Sequence, residues 1–226
     1  AGEVAGLSPT NLIVTSDLTR ALAEADVAVD FSHAGATGAN VAACRAARKP
    51  LLTGTTGLDA ALEPAICTAA GEIALMVAPN TSIAVALLTE LVRQSARTLP
   101  ATFDIDVIEL HHRTKHDAPS GTALALGWAA AGARGLPLPS GITPPAAGTS
   151  QGRPEGQVGV TSVRAGDLVG EHTVLFSGLG EQLSLTHRAT NREIFARGAL
   201  TAALWLMSQR PGRYDMRDFL GYKTSS

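Results

Sequence analysis

Cysteine is scarce: two residues, Cys44 and Cys67, in 226. Two thiols at a spacing that fits no metal or redox motif exclude a disulfide scaffold and a cysteine-built metal centre, and are expected as small buried or half-buried side chains in a reducing compartment. Excess charge of one sign is also missing. Lysine and arginine number 18 against 20 acidic residues, for a net charge of −2, so no basic footprint points to nucleic acid or to a membrane surface. No apolar run approaches the ~18 residues of a membrane-spanning helix. The opening residues, AGEVAGLS, have neither the basic start nor the apolar core of a secretory signal. The cytoplasm is the expected compartment.

What is present is a globular composition, 45% hydrophobic and 17% charged, with length for a large buried core in one or two domains. Three short apolar runs stand out: 27–31, 49–53 and 73–78. Each is followed by a stretch of helical composition, over 36–47, 59–70 and 83–96, with Asp59 and Ser82 placed as N-caps. Continuous apolar runs alternating with helices are the pattern of buried parallel strands in a βαβ series. Ligands of such sheets bind beyond the carboxyl ends of the strands, which places GTTG (54–57) and APNTS (78–82) at a candidate site.

The texture changes after Pro100. Residues 103–107 alternate apolar with acidic, a strand with one wet face. A helix is expected over 122–133, an irregular Pro- and Gly-rich stretch over 134–157, and a strand over 158–164. Residues 172–176 and 182–186 flank Gly178 and Gly180 as a hairpin. The segment 164–172 between these strands reads as a structural corner. A last amphipathic helix covers 194–208.

The chemistry-bearing residues cluster in ELHHRTKHDAPSGTA (109–123). Imidazole titrates near neutrality and can move protons at working pH, and lysine is a point charge and a possible proton donor. His111, His112, Arg113, Lys115 and His116 therefore suit an anionic substrate, although a solvated basic loop has the same composition. A zinc site is disfavoured, with no cysteine or glutamate at evident ligand spacing. Ser120 is placed to cap a helix whose first amides, on Gly121 and Thr122, have no intrahelical partner and suit a carboxylate. An ordinary capped helix is the plainer reading of that half. Joined, the two halves describe one pocket: acid–base groups beside an anion cradle.

The chain thereby resembles the 4-hydroxy-tetrahydrodipicolinate reductase (dihydrodipicolinate reductase) family. The resemblance is carried by residues 109–123, VDFS (29–32), GTTG (54–57), APNTS (78–82), VRAGDLVGEH (163–172) and ALW (203–205). It implies an α/β fold, an incomplete Rossmann-like parallel-sheet domain plus an α+β domain for substrate binding and tetramerisation. The boundaries are 1–82, 83–192, and a returning helix and tail at 193–226. It further implies NADH or NADPH as cofactor, a cyclic dicarboxylate substrate and a homotetramer. His111 takes the acid–base role and Lys115 that of proton donor. His112, Gly121 and Thr122 contact substrate. Gly54, Thr55, Thr56, Ala78, Pro79, Asn80 and Thr81 contact cofactor, and no metal is involved. The family opens with a strand, a G-x-x-G-x-x-G turn, a helix and a second strand, and nothing in this sequence matches that unit. The chain is accordingly expected to be an N-terminally truncated member with apolar sheet faces left uncovered, and no residue separates NADH from NADPH. Two other readings stay open: a dicarboxylate-binding oligomer without cofactor chemistry, and a different reductase of the same architecture.

Overall fold

The computed structural model describes residues 1–143 and 156–222. The chain separates into two compact units, one of residues 1–79 and 199–215, the other of residues 80–198 and 216–226.

The first unit holds a four-stranded parallel sheet in the order β1 (Ala28–Asp30), β2 (Leu51–Thr53), β3 (Ala74–Val77), β9 (Gly212–Tyr214). Every residue of β2 is buried, as expected of a strand covered on both faces. Helices α1 (Leu18–Glu24), α2 (Ala34–Ala46) and α3 (Glu63–Ala70) contribute to its core, where Leu22, Val41, Cys44 and Ile66 pack with Leu51 and Leu75. The single helix expected over 59–70 is divided. Asp59 caps a short 3-10 turn over Ala60–Leu62, and α3 begins only at Glu63, because Pro64 has no N–H to continue the ladder and suits a first helical turn. Cys44 is buried as expected, and burial, with the nearby Asp30 charge, pushes its thiol up to about 11. Cys67 is exposed rather than half-buried, since α3 turns Ile66, Ala69 and Ala70 inward instead.

The second unit holds a mixed sheet in the order β5 (Ile142–Thr143), β6 (Val158–Arg164), β4 (Asp104–His111), β7 (Gly170–Ser177), β8 (Gln182–Ala189). β4 runs parallel to β6 and antiparallel to β7. Helices α4 (Ile83–Thr98) and α5 (Gly121–Ala133) supply Leu88, Val92, Ala123 and Leu126 to the core beside Ile105, Val107, Val160, Val174 and Phe176. Ser82 Oγ and Ser120 Oγ accept from Val85 N and Ala123 N, so both act as N-caps. The glycine turn of the hairpin is present: Gly178 packs under the Phe103 ring with no room for a Cβ, and Gly180 has φ +80°. The irregular stretch expected over 134–157 falls mostly on 144–155, outside the described residues. Helix α6 (Glu193–Leu206) follows β8, and α7 (Met216–Phe219) brings Arg217 within 2.5 Å of the buried Glu90 carboxylate on α4. Among the described residues, no helix is long and apolar enough to cross a membrane.

The inward row of β4 sets up the site. Alternate residues Ile105, Val107, Glu109 and His111 are all buried, so the row begins as hydrophobic core and ends as polar groups. The neighbouring strands change in the same place. Glu109 lies opposite Ser162 and His172, and His111 opposite Arg164.

Close packing at Gly198 of α6 is testable. A Cβ on Gly198 would stand 1.9 Å from the Thr81 carbonyl oxygen, whereas one on Gly132 in α5 meets open space. Gly198→Ala is expected to destabilise the chain by about 1–3 kcal/mol. Gly132→Ala is expected to be neutral or to stabilise by up to ~1 kcal/mol. Thermal melts of both variants check this.

Candidate active site

Glu109 is fully buried, and each of its oxygens has partners. Oε1 accepts from Arg164 Nη2 at 2.8 Å and from Ser120 N at 3.3 Å. Oε2 meets His111 Nδ1 in a very short contact. Burial pushes this carboxyl up, but the Arg164 guanidinium, the Ser162 hydroxyl opposite it and the His111 bond outweigh it and hold the pKa down to about 2. Arg164 also donates to the Asp117 carbonyl at 2.5 Å, so it braces the loop after β4 as well as the carboxylate.

His111 and His172 stand edge to face, their ring centroids 5.1 Å apart. Burial lowers the pKa of His111 against the pull of Glu109. Burial, together with charge on His111, lowers His172 to about 4. His172 Nε2 lies 3.1 Å from Ser120 Oγ, and its Nδ1 is buried with no hydrogen-bond partner among the described residues. Burial thus favours the neutral form of both imidazoles. The loop carrying the remaining motif residues is pinned to the turn after β6 by Ala165 N to His111 O and Arg113 N to Gly166 O, at 2.9 and 3.1 Å. Lys115 Nζ pairs with Asp117 Oδ1 at 2.7 Å, and this ammonium lowers the Asp117 carboxyl. His112 is half-buried. Its Nε2 accepts from Arg192 Nη2 at 3.2 Å, leaving Nδ1 facing Thr114 Oγ1 at 2.8 Å.

The expected cradle falls at the start of α5. Ser120 N goes to Glu109 and Ala123 N to Ser120 Oγ, while the amides of Gly121 and Thr122 have no carbonyl one turn back to receive them. A Cβ on Gly121 would meet nothing within 4 Å, so a ligand can come close to the backbone there. Asn80 Nδ2 donates to Thr122 Oγ1 at 2.9 Å, so that oxygen accepts there while its O–H keeps the capacity to donate, and Asn80 Oδ1 accepts from Ser82 N. Asn80 is thus tied to the substrate half of the expected site.

The other residues expected at the cofactor lie at the carboxyl ends of β2 and β3. Gly54 N donates to Asp30 O at 2.8 Å, and a Cβ there would strike the Phe31 ring. Thr55 is buried, with its hydroxyl on the Asp30 and Ser32 carbonyls. Thr56 and Pro79 are exposed, while Ala78 is buried. Thr81 is buried with its hydroxyl on the Phe195 carbonyl at 2.7 Å. The motif residues 111, 112, 115, 121 and 122 thus share the second unit with Asn80 and Thr81, and residues 54–56, 78 and 79 belong to the first.

Three residues had no role in the sequence reading. In the sequence Arg164 and His172 read as parts of a corner, yet the register places Arg164 against His111 and His172 against Glu109. Arg192 precedes the last helix and reaches His112. Glu109 itself was detectable, since residues two apart on a strand share a face. The sequence spacing also set aside any metal-ligand grouping with a glutamate. Among the described residues, Glu109, His111 and His172 each bring a ligand atom within 4.8 Å of the others. The two Glu109 oxygens are nonetheless accounted for by Arg164, Ser120 and His111.

A Rossmann-like parallel unit, joined to a mixed-sheet unit that carries buried imidazoles beside a helix N-terminus, defines a two-unit α/β enzyme. The comparisons with known proteins narrow this. Residues 1–81 match the model described as dihydrodipicolinate reductase, N-terminus, and residues 84–220 match its C-terminus. A 4-hydroxy-tetrahydrodipicolinate reductase of Alkalilimnicola ehrlichii is 49% identical over 98% of this chain and 83% of its own length. One from Anaeromyxobacter sp. is 44% identical over 100% of the chain and 84% of its own. The dipicolinate-bound dihydrodipicolinate reductase of Paenisporosarcina sp. TG-14 has the same fold, with TM-score 0.74 and 24% identity over 97% of this chain and 85% of that one. The chain belongs to the dihydrodipicolinate reductase family.

The buried histidines carry a pH dependence. A histidine lowered in the folded state binds fewer protons than the unfolded chain does, so stability is full above the unfolded value of 6.5 and is lost as pH falls toward the folded value of about 4. The melting temperature is expected to drop across that interval. In His172→Gln the drop should be shallower by the share of one proton, on the order of a few kcal/mol. Equal slopes in both proteins would contradict this.

Proposed function

We propose that the chain reduces 4-hydroxy-tetrahydrodipicolinate to tetrahydrodipicolinate, in the diaminopimelate route to lysine, with NADH or NADPH. Family membership and near-full-length identity to reductases of that name support the activity. The observation that carries the site assignment is the meeting of both motif halves at Glu109, which bonds His111 on one side and the amide of Ser120 on the other. The dipicolinate held by the related Paenisporosarcina enzyme supports a cyclic dicarboxylate as the ligand class.

In this reading the amides of Gly121 and Thr122, the Thr122 hydroxyl and His112 take a substrate carboxylate. Arg192, bonded to His112, adds positive charge beside them. The 4-hydroxyl leaves as water to give a conjugated ring; His111 handles protons at that ring, and Lys115 gives a proton to the ring carbon next to the position that receives the hydride. Bound nicotinamide supplies the hydride.

For cofactor contact we assign Gly54, Thr55, Thr56, Ala78, Pro79, Asn80 and Thr81. The residues fit such a group. Thr56 is exposed, and Gly57 has φ +70° with open space where a Cβ would point, so the backbone beyond β2 can be approached closely. Gly54, Thr55, Ala78 and Thr81 shape the turns from within. The first unit serves the cofactor, and the second serves substrate binding and a homotetramer. The edge strand β8, with Leu183 exposed, fits that assembly. The compartment we assign is the cytoplasm.

The test follows substrate-dependent oxidation of NADH and NADPH. Lys115→Ala is expected to lower kcat by ~10²–10⁴, the range for a positioned proton donor, with cofactor affinity nearly unchanged. Near-wild-type turnover removes the role of Lys115. Dicarboxylate binding without turnover by the unaltered chain would favour a binding protein instead.

A further inference from the structure

We infer that Glu109 is a positioning residue that holds His111 in the tautomer protonated at Nδ1, while its second oxygen fixes the first turn of the carboxylate cradle. The inference rests on the reductase reading for its functional consequence, but not for its structural content.

The argument begins with what a carboxylate can do. Ionised, it only accepts hydrogen bonds. Glu109 is buried beside Arg164, whose Nη2 lies 2.8 Å from Oε1, so it is held in that form. The bond from Oε2 to His111 therefore needs a hydrogen on Nδ1. A neutral imidazole has one N–H, so Nε2 is left with its lone pair. Gly170 on β7 keeps room at that nitrogen, because a Cβ there would stand 2.9 Å from His111 Nε2. The charged and titratable groups around His111 are Glu109 on its own strand, Arg164 on β6, His172 on β7 and Lys115 on the following loop. Among the described residues, only Glu109 bonds the ring.

The other oxygen reaches the cradle. Oε1 accepts from Ser120 N, the residue whose hydroxyl caps α5 and touches His172 Nε2. Arg164 extends the unit to the carbonyl of Asp117, whose side chain pairs with Lys115. One carboxylate thus sets the acid–base ring and the start of α5 in a common frame.

Glu109→Gln separates positioning from bulk stability. The amide oxygen can keep the bonds from Arg164 and Ser120, which places the amide NH₂ toward His111. An N–H there can only donate, so Nδ1 must accept and the proton moves to Nε2. Protein labelled with ¹⁵N in its histidine rings is examined free, without cofactor or substrate, by long-range ¹H–¹⁵N spectra, with the His111 signal identified by its loss in His111→Gln. The expected result is Nδ1–H in the unaltered chain and Nε2–H in Glu109→Gln. A fall in kcat of about 10²-fold should accompany the change, the penalty for a misplaced reacting group, with KM for the dicarboxylate substrate little altered. Nε2–H in the unaltered chain overturns the inference, and needs no variant to fold. A variant that melts earlier but keeps Nδ1–H and normal kcat also overturns it, since that is the behaviour of a merely structural carboxylate. Should the chain reduce no substrate at all, the reductase reading fails while the ring spectra remain decisive for Glu109.

Discussion

A carboxylate taken out of water costs several kcal/mol unless its oxygens find charged or hydrogen-bonding partners. In this chain Glu109 is such a group, placed at the inner end of a core strand with no exposed surface. Arg164 supplies the opposite charge, Ser120 a backbone donor and His111 a ring donor. These partners come from the neighbouring strand, the start of α5 and the same strand two residues on. None can move far without leaving a buried charge unpaired, so the positions of the loop over 112–119, of the cap of α5 and of the His111 ring are all conditions of satisfying one side chain.

The sheet makes this arrangement possible by changing character along its length. The inward row of β4 passes from Ile105 and Val107 to Glu109 and His111, and β7 passes from His172 to Val174 and Phe176 in the opposite direction. Close packing of the apolar end fixes the strands, and the polar end inherits that rigidity. The first unit solves a similar problem with neutral donors. Asp30, buried at the end of β1, accepts from Ser32, Asn40 and Thr53. Burial pushes its carboxyl up, yet these bonds prevail and hold it below the ordinary range. There the satisfied carboxylate shapes turns at the strand ends. In the second unit it orders groups suited to move protons.

Much of the fold could be read from residue order because the signals were local. The runs ending at Thr53 and Val77 are strands for the reason their composition gave, and Asp59, Ser82 and Ser120 cap as their side chains allow. β9 was hidden, since three residues, Gly212, Arg213 and Tyr214, become a strand only by pairing with β3. The contiguous part of the candidate site rests on an equally local signal: His111, Lys115, Gly121 and Thr122 lie within a dozen positions. Arg164 and His172 carry no such signal. His172 lies opposite Glu109 by strand register, and Arg164, opposite His111, reaches Glu109 with its guanidinium; both span more than fifty residues of sequence separation, which no local pattern encodes. The linker 164–172 looked like a corner because it is one, and its two ends carry side chains that face the core of the sheet.

The most direct test of this account is the titration of the Glu109 carboxyl itself, followed by ¹³C NMR in the intact chain and assigned by its loss in Glu109→Gln. If the Arg164 and His111 contacts govern the site, Glu109 stays ionised from about pH 7 down to about pH 4, below the ordinary range for a glutamate. A midpoint near 4.5 or higher would mean that burial outweighs those contacts. The carboxylate could not then be the group around which the ring, the loop and the helix are set.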